Sequence, residues 1–302
     1  MEYIPASKGL DKKVIVHIHD FQPISYSPAM LYDQQDSLIH NIKAELLFEL
    51  LEHGNYIRAI AGSLLTPTIT FIKTWLSEAH TIICNTQRQA EMISSRIPAQ
   101  ANKIKVVYNP LLVTPPLDEK FRDSTFIYAG GGSYIKGFHI FMQGAINILK
   151  QWDCVRFLLA GDFKRRHKEL VKRLNNFFAG RFKLLGYMPH KDILKLYSKS
   201  HAIIVPSLCE EPLPYVVIEA MVMGTIPIAS KVGGIPEIVK GTYAERLMFT
   251  PGCIEEMIDR MNTVLSLSRE QLTNIGSKLR EITLKRFNNE VIKKQLLEVF
   301  ST

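Results

Sequence analysis

The chain of 302 residues holds four cysteines, Cys84, Cys154, Cys209 and Cys253, and none stands in a CxxC pair. Isolated thiols exclude a zinc ribbon or a disulfide framework as the basis of the fold, and they fit a reducing, cytoplasmic setting. Long apolar runs are missing too. No uninterrupted stretch approaches the ~20 residues needed to cross a bilayer. The opening "MEYIPASKGLDKK" has no apolar centre of the kind a secretory signal needs. A soluble cytoplasmic protein is expected, touching the inner face of a membrane at most from its surface. No Lys/Arg run interleaved with aromatics occurs, so nucleic acid is not an expected partner. Internal repeats and low-complexity tracts are also lacking.

What is present is ordinary globular material, 46% hydrophobic and 22% charged, in a chain long enough for two cores. Thirty-seven basic against 29 acidic side chains leave a net charge of +8, which favours anionic partners such as phosphorylated ligands or acidic headgroups. The basic cluster "KRRHK" at 164–168 reads as a solvated helix face rather than a binding patch.

Strand and helix patterns alternate, the mark of an α/β fold with parallel sheets. "KVIVHIHDF" predicts a strand ending near His19–Asp20, and "LIHNIKAELLFELLE" predicts a helix stopped by Gly54. "ITFIKTWLSEA", "TIICNT", "QRQAEMISSRI" and "IKVVYNP" continue as helix, strand, helix and strand. The prolines of "LLVTPPLDEKFRDS" (111–124) mark a linker. A fuller alternation follows: "TFIYAGG", "FHIFMQGAINILK", "VRFLLAGD", "RHKELVKRLNNFFA", "FKLLGY", "KDILKLYSKS", "AIIVPS", "GTIPIAS", "GGIPEIVK", then two terminal helices. The first half, with three clear strands, looks incomplete; the second is a whole doubly wound domain.

Ligands of open α/β sheets sit at the carboxyl ends of strands, beside helix starts. Three loops qualify. In "YAGGGSYIKGF", Gly130, Gly131 and Gly132 leave a strand and Lys136 precedes a helix. This is either a tight glycine turn or a phosphate cradle with one added cation. It matches neither a Walker loop nor GxGxxG. In "VPSLCEEPLPYVVIEAM", Pro212 and Pro214 set a turn, Glu211 lies before the helix and Glu219 within it. At ~1.5 Å per residue the two carboxylates stand roughly 10 Å apart, too far to share a proton. They either grip hydroxyls on both sides of a ligand, or are a capping acid and a solvent-facing one. "ASKVGGIPEIV" shapes a pocket floor. In "HIHD", His17 and His19 share one strand face; a metal pair, a cleft-facing His19 and simple packing are the three readings.

These residues together resemble the retaining glycosyltransferases of family 4, with the GT-B fold of two Rossmann-like domains facing a cleft. The likeness rests on "GGGSYIKG", "LLAGD", "LGYMPHKDILKLYSKSHAIIVPS" and an E-x7-E pair, Glu211 and Glu219, followed by "G…P…AS…GG.PE". It implies a shortened acceptor-side domain over 1–116, a nucleotide-sugar domain over 117–283 and a terminal helix, 284–302, packing back on the first. It further implies that Gly131, Gly132 and Lys136 neutralise the diphosphate of a UDP-, GDP- or ADP-sugar. Glu219 would hold the ribose, Glu211 the transferred sugar, and His19 would face that sugar from the other domain. Gly130, Pro212, Leu213, Tyr215 and Val216 would complete the donor site, with no metal. The acceptor is a hydroxyl of a glycan, lipid or protein-linked group.

Three departures stand out. Gly131 replaces the family's usual Arg, and Leu213–Pro214 replaces its usual Phe-Gly, removing a backbone donor. Only 13 residues precede Val14, where the family has several strands and a glycine loop. A truncated reading frame, a half completed by a second polypeptide and a compact variant are the alternatives. A non-catalytic nucleotide-sugar binder on the same fold is the second functional reading. An NAD-dependent enzyme is disfavoured for want of GxGxxG and its acidic partner.

Overall fold

The computed structural model describes residues 12–27, 29–34, 37–111 and 115–301. The chain divides into two units. One comprises Met1–Leu111, Cys209–Leu213 and Phe287–Thr302; the other comprises Leu112–Leu208 and Pro214–Arg286.

In the first unit, the β-branched run of "KVIVHI" forms β1 (Ile15–Ile18), and β2 (Met30–Leu31) is a two-residue strand pairing antiparallel with Cys209–Glu210. Helix α1 (Leu38–Phe48) starts where the Ser37 hydroxyl accepts the His40 N–H, at 3.2 Å. It runs into a wider turn, Glu49–His53, that ends at Gly54 with φ +67°. Gly54 is the stop the sequence predicts. Helices α2 (Tyr56–Leu65) and α3 (Ile69–Ser77) follow; α2 is not foreseen in the sequence pattern. Then come β3 (Thr81–Cys84), α4 (Gln87–Arg96), capped by Thr86, and β4 (Ile104–Val106). The described strands β1, β3 and β4 make a parallel sheet in the order β1-β3-β4. Phe21, Ile24, Leu76, Ile82 and Ile93 fill its core at 0% exposure.

The second unit opens with β5 (Ser124–Tyr128), α5 (Phe138–Gln151), β6 (Val155–Ala160), α6 (Arg165–Phe177), β7 (Phe182–Gly186), α7 (His190–Lys199) and β8 (Ala202–Val205). After β9 (Cys209–Glu210), which belongs to the first unit, come α8 (Tyr215–Val222), β10 (Ile226–Ala229), α9 (Ile235–Val239), α10 (Ile254–Leu265) and α11 (Arg269–Arg286). Phe126, Phe157 and Phe182 occupy matched register positions on β5, β6 and β7, with ring centroids 5.7 and 5.6 Å apart. Such cross-strand aromatic pairs help fix register, because slipping by one residue would turn each ring to the opposite face.

The sheet is all parallel in the order β10-β8-β5-β6-β7. The chain therefore builds outward from β5 through β6 and β7, then returns to the other side of β5 through β8. That reversal between β5 and β8 is the topological switch point, where the loops leaving the two strands open a crevice.

A last helix, α12 (Asn289–Ser301), rejoins the first unit. Leu111 and Asn289 exchange two hydrogen bonds, of 2.8 and 2.9 Å, and the Tyr108 and Phe287 rings lie 4.9 Å apart. Three long helices thus follow β10 where the sequence predicts two. The breaks fall at Ser268, whose hydroxyl accepts the Gln271 N–H, and at Asn288, whose side chain accepts the Glu290 and Val291 N–H groups.

Candidate functional site

The loop after β5, residues 129–137, meets the loop after β8 backbone to backbone. Leu208 N–H donates to the Ile135 carbonyl at 2.7 Å. Gly137, at φ +73°, lies so near the Pro206 carbonyl that any Cβ would overlap it. Gly131, at φ +60°, would place a Cβ 2.5 Å from the Asp162 carbonyl oxygen. Only glycine combines these dihedrals with such approach.

Gly131 N–H donates to the Ala160 carbonyl (3.3 Å) and Gly132 N–H to that of Asp162 (2.7 Å). Both amides are thus engaged by the neighbouring strand end and loop, an arrangement that the tight-turn alternative also describes. Gly130 sits against the Tyr128 ring and 3.0 Å, measured from a built Cβ, from the Lys136 side chain. Lys136 is half-buried one residue before the left-handed Gly137 that opens α5. His167 fills the space beside Gly132 and packs on Phe138, with centroids 5.0 Å apart. The rest of "KRRHK" is exposed.

The loop after β8 is pinned by Ser230, whose hydroxyl donates to the Val205 and Ser207 carbonyls at 3.1 and 2.8 Å. Pro214 is the cap residue of α8, which carries Tyr215, Val216 and Glu219. Glu219 is not solvent-facing: its side chain is 18% exposed and its Oε1 lies 2.8 Å from His190 Nε2. Burial raises the Glu219 pKa, and the His190 hydrogen bond and charge partly counter that rise. Burial, with the Glu219 charge second, likewise pushes up the neighbouring Tyr197 phenol. A carboxylate gripped at one oxygen presents the other to hydroxyl donors. His190 escaped the sequence reading. It follows Pro189 at the start of α7, and nothing in its spacing ties it to Glu219, 29 residues on.

In the first unit, the Cys209–Leu213 segment is held on three sides. It pairs with β2; Arg88 Nη2 meets Glu210 Oε1 at 2.9 Å; and the Thr86 hydroxyl donates to the Pro212 carbonyl at 2.9 Å. Glu211 and Leu213 are buried, and Glu211 Oε1 accepts a long bond from Cys209 Sγ at 3.9 Å. His19 follows β1 and is exposed, with its Nδ1 3.4 Å from the amide nitrogens of both Asn85 and Asn109. Amide donors make Nδ1 an acceptor, which assigns the proton of neutral His19 to Nε2. His17 Nε2 meets Asn85 Oδ1 at 2.8 Å. Its pKa is lowered, by burial first and by the charge of His19, against the opposing effect of the hydrogen bond that His17 donates to Asn85. The HxH pair is thus organised by an asparagine. Among the described residues, no three His, Cys, Asp or Glu side chains gather as a metal ligand set.

The fold is of the GT-B glycosyltransferase type, an α/β architecture of parallel sheets. Residues 123–266, a little under half of the 302-residue chain, match the family model described as "Glycosyl transferases group 1". The gpi3 subunit of phosphatidylinositol N-acetylglucosaminyltransferase from Schizosaccharomyces pombe is 26% identical over 208 residues, covering 68% of this chain and 45% of that protein. Spore coat protein SA of Bacillus subtilis is 27% identical over 236 residues, covering 70% and 62%. The chain thus spans roughly half of these relatives' own length. A crystal structure of Anabaena Alr3699/HepE in complex with UDP and glucose superposes with a TM-score of 0.70 at 22% identity, covering 99% of this chain and 74% of that one. Family model and relatives point to the group 1 glycosyltransferases, and the structural neighbour supports the fold.

Proposed function

We propose that the chain acts as a retaining glycosyltransferase of family 4, moving a sugar from a nucleotide diphosphate sugar to a hydroxyl acceptor. The observation that carries this reading is the switch point of the second unit's sheet. The loop bearing Lys136 leaves β5 beside the loop that leads from β8 into the Glu219 helix. Lys136 neutralises the diphosphate and, with the start of α5, stabilises the departing nucleotide. Glu219 accepts the ribose hydroxyls. Glu211 and His19 attend the transferred sugar. Retention follows if the donor phosphate takes the acceptor proton on the face from which it leaves, with no carboxylate acting as nucleophile. The structural neighbour bound to UDP makes a UDP-sugar the first donor to test.

A second reading, a nucleotide-sugar binder without turnover, is favoured by one observation. Position 131 cannot carry the family's usual Arg in this loop, because its φ is +60° and its Cβ direction is closed by the Asp162 carbonyl. One experiment separates the readings. Melting temperature is measured against UDP-, GDP- and ADP-sugars, and nucleotide release is followed with saccharide and lipid hydroxyl acceptors. Ligand at ~100 times Kd adds ~2.7 kcal/mol of stability. A melting shift with nucleotide release supports the enzyme, and a shift without release supports the binder. Absence of any shift overturns both. In the enzyme, Glu219→Ala weakens nucleotide affinity and Glu211→Ala chiefly lowers turnover; equal, unchanged behaviour of both variants contradicts these roles.

A further inference from the structure

An exposed histidine at a strand end can turn its ring and carry its proton on either nitrogen. His19 is exposed, yet the start of α4 holds it. Asn85, 1% exposed, precedes the cap residue Thr86, and Gln89, 0% exposed, lies in the first turn. Asn85 Nδ2 stands 2.9 Å from the Ile18 carbonyl oxygen, and Gln89 Nε2 stands 3.1 Å from that of Asp20. The chain is thereby tied down one residue before His19 and one residue after it. Gln89 Oε1 in turn accepts the Asn85 N–H at 2.7 Å, which joins the two residues into one clamp.

A backbone carbonyl accepts and never donates, and this decides which end of the Asn85 amide is nitrogen. With nitrogen toward Ile18, the Asn85 oxygen faces His17 Nε2 at 2.8 Å, so that Nε2 must carry a proton to donate. The second N–H of Asn85 Nδ2 is directed to His19 Nδ1 at 3.4 Å, and Asn109 Nδ2 approaches the same atom at 3.4 Å. With two donors turned on it, Nδ1 serves as an acceptor, and the proton of neutral His19 stays on Nε2. The rings of His17 and His19, with centroids 4.2 Å apart, are ordered by this one amide. A main-chain carbonyl sets the amide, and the amide sets both rings.

We propose that Asn85 is a positioning residue that fixes the tautomer of His19, with Gln89 holding it in place, so that His19 presents an N–H donor and not a base. Toward the transferred sugar this gives a hydrogen bond to a hydroxyl oxygen and no proton abstraction. That consequence rests on the donor reading; the tautomer itself rests on the first unit alone.

The test is nitrogen NMR of the imidazole rings in the whole chain, about two pH units above the ordinary imidazole pKa. The His19 signals are identified by their loss in His19→Asn. The unaltered chain should show Nε2 protonated and Nδ1 bare in His19, and Nε2 protonated in His17. Asn85→Asp offers acceptors only, and its charge outcompetes the Asn109 amide, so His19 should then carry its proton on Nδ1. Should that variant fail to fold, Asn85→Ala removes the donor, and the His19 nitrogens should move toward the averaged shifts of an unconstrained imidazole. A protonated Nδ1 in the unaltered chain overturns the inference, as do His19 shifts that neither variant moves. Donor turnover and calorimetric titration with UDP give the second readout. Asn85→Asp should lower kcat by ~10-fold or more and keep UDP affinity, since UDP lacks the sugar. Full turnover with a displaced proton overturns the positioning role. No turnover by the unaltered chain, with the expected ring shifts, counts against the donor reading and leaves the tautomer assignment standing.

Discussion

His201 sits at the start of β8 with 7% exposure and locks that strand to β5. Its Nδ1 accepts the Thr125 N–H at 3.0 Å, while its own N–H donates to the Thr125 carbonyl at 2.9 Å. Burial, with the charges of Lys120 and Arg269 and against that of Asp123, lowers its pKa from 6.5 to about 4. The sign follows directly. Between those values the unfolded chain binds a proton that the folded chain refuses, so stability is whole above pH ~6.5 and drains away as pH falls toward ~4. At ~1.4 kcal/mol per pH unit this one side chain removes ~3 kcal/mol across the window. His201→Asn keeps an acceptor near the Nδ1 position and has nothing to titrate. Urea unfolding of both proteins near pH ~7 and ~4.5 should show the variant slightly less stable at neutrality, by ~1 kcal/mol, and more acid-resistant by ~2 kcal/mol. Parallel losses in the two proteins would refute the assignment of acid lability to the β5–β8 lock.

Three further outcomes are expected. Gly137→Ala should cost ~3 kcal/mol or more in urea unfolding, because φ +73° and the Pro206 carbonyl both oppose a Cβ. Arg88→Met removes the ion-pair partner at Oε1 of Glu210, whose side chain is 4% exposed. A fully buried pair would cost ~3–5 kcal/mol to break, and the half-exposed Arg88 reduces this to ~2 kcal/mol in thermal or urea melts. His190→Ala removes the group that holds the Glu219 pKa down. The acid-side fall of nucleotide affinity, read by calorimetric titration across pH, should therefore move to higher pH; an unmoved profile would detach Glu219 from the nucleotide.

The second unit was legible because its strands are short β-branched or aromatic runs between strongly periodic helices. "VRFLLA" and "AIIV" fall where β6 and β8 stand. The two loops stand out in the sequence, since a glycine-lysine loop and a proline-flanked helix start follow two of those strands; that they meet at a switch point depends on a strand order that no local signal fixes. Other features carry no local signal. The pairing of Met30 with Glu210 spans 180 residues and two positions per strand, so neither periodicity nor propensity marks it. Helix α2 hid because "NYIRAIAGSLL" puts its apolar residues outward, against the pattern by which a buried helix announces itself. Glu210, and not its neighbour Glu211, makes the ion pair with Arg88. Which of two adjacent acids faces a partner depends on a strand register set elsewhere.

The first unit is stitched from three separated lengths of chain, with β9 and α12 supplied long after β1 to β4. During synthesis the ribosome delivers every residue of the second unit before α12 emerges. The earlier sheet must then wait, its Leu111 and Tyr108 contacts unmade, while the later one is already complete. A released chain truncated after Arg286 should therefore have a second unit that resists protease and a first unit that is still digested.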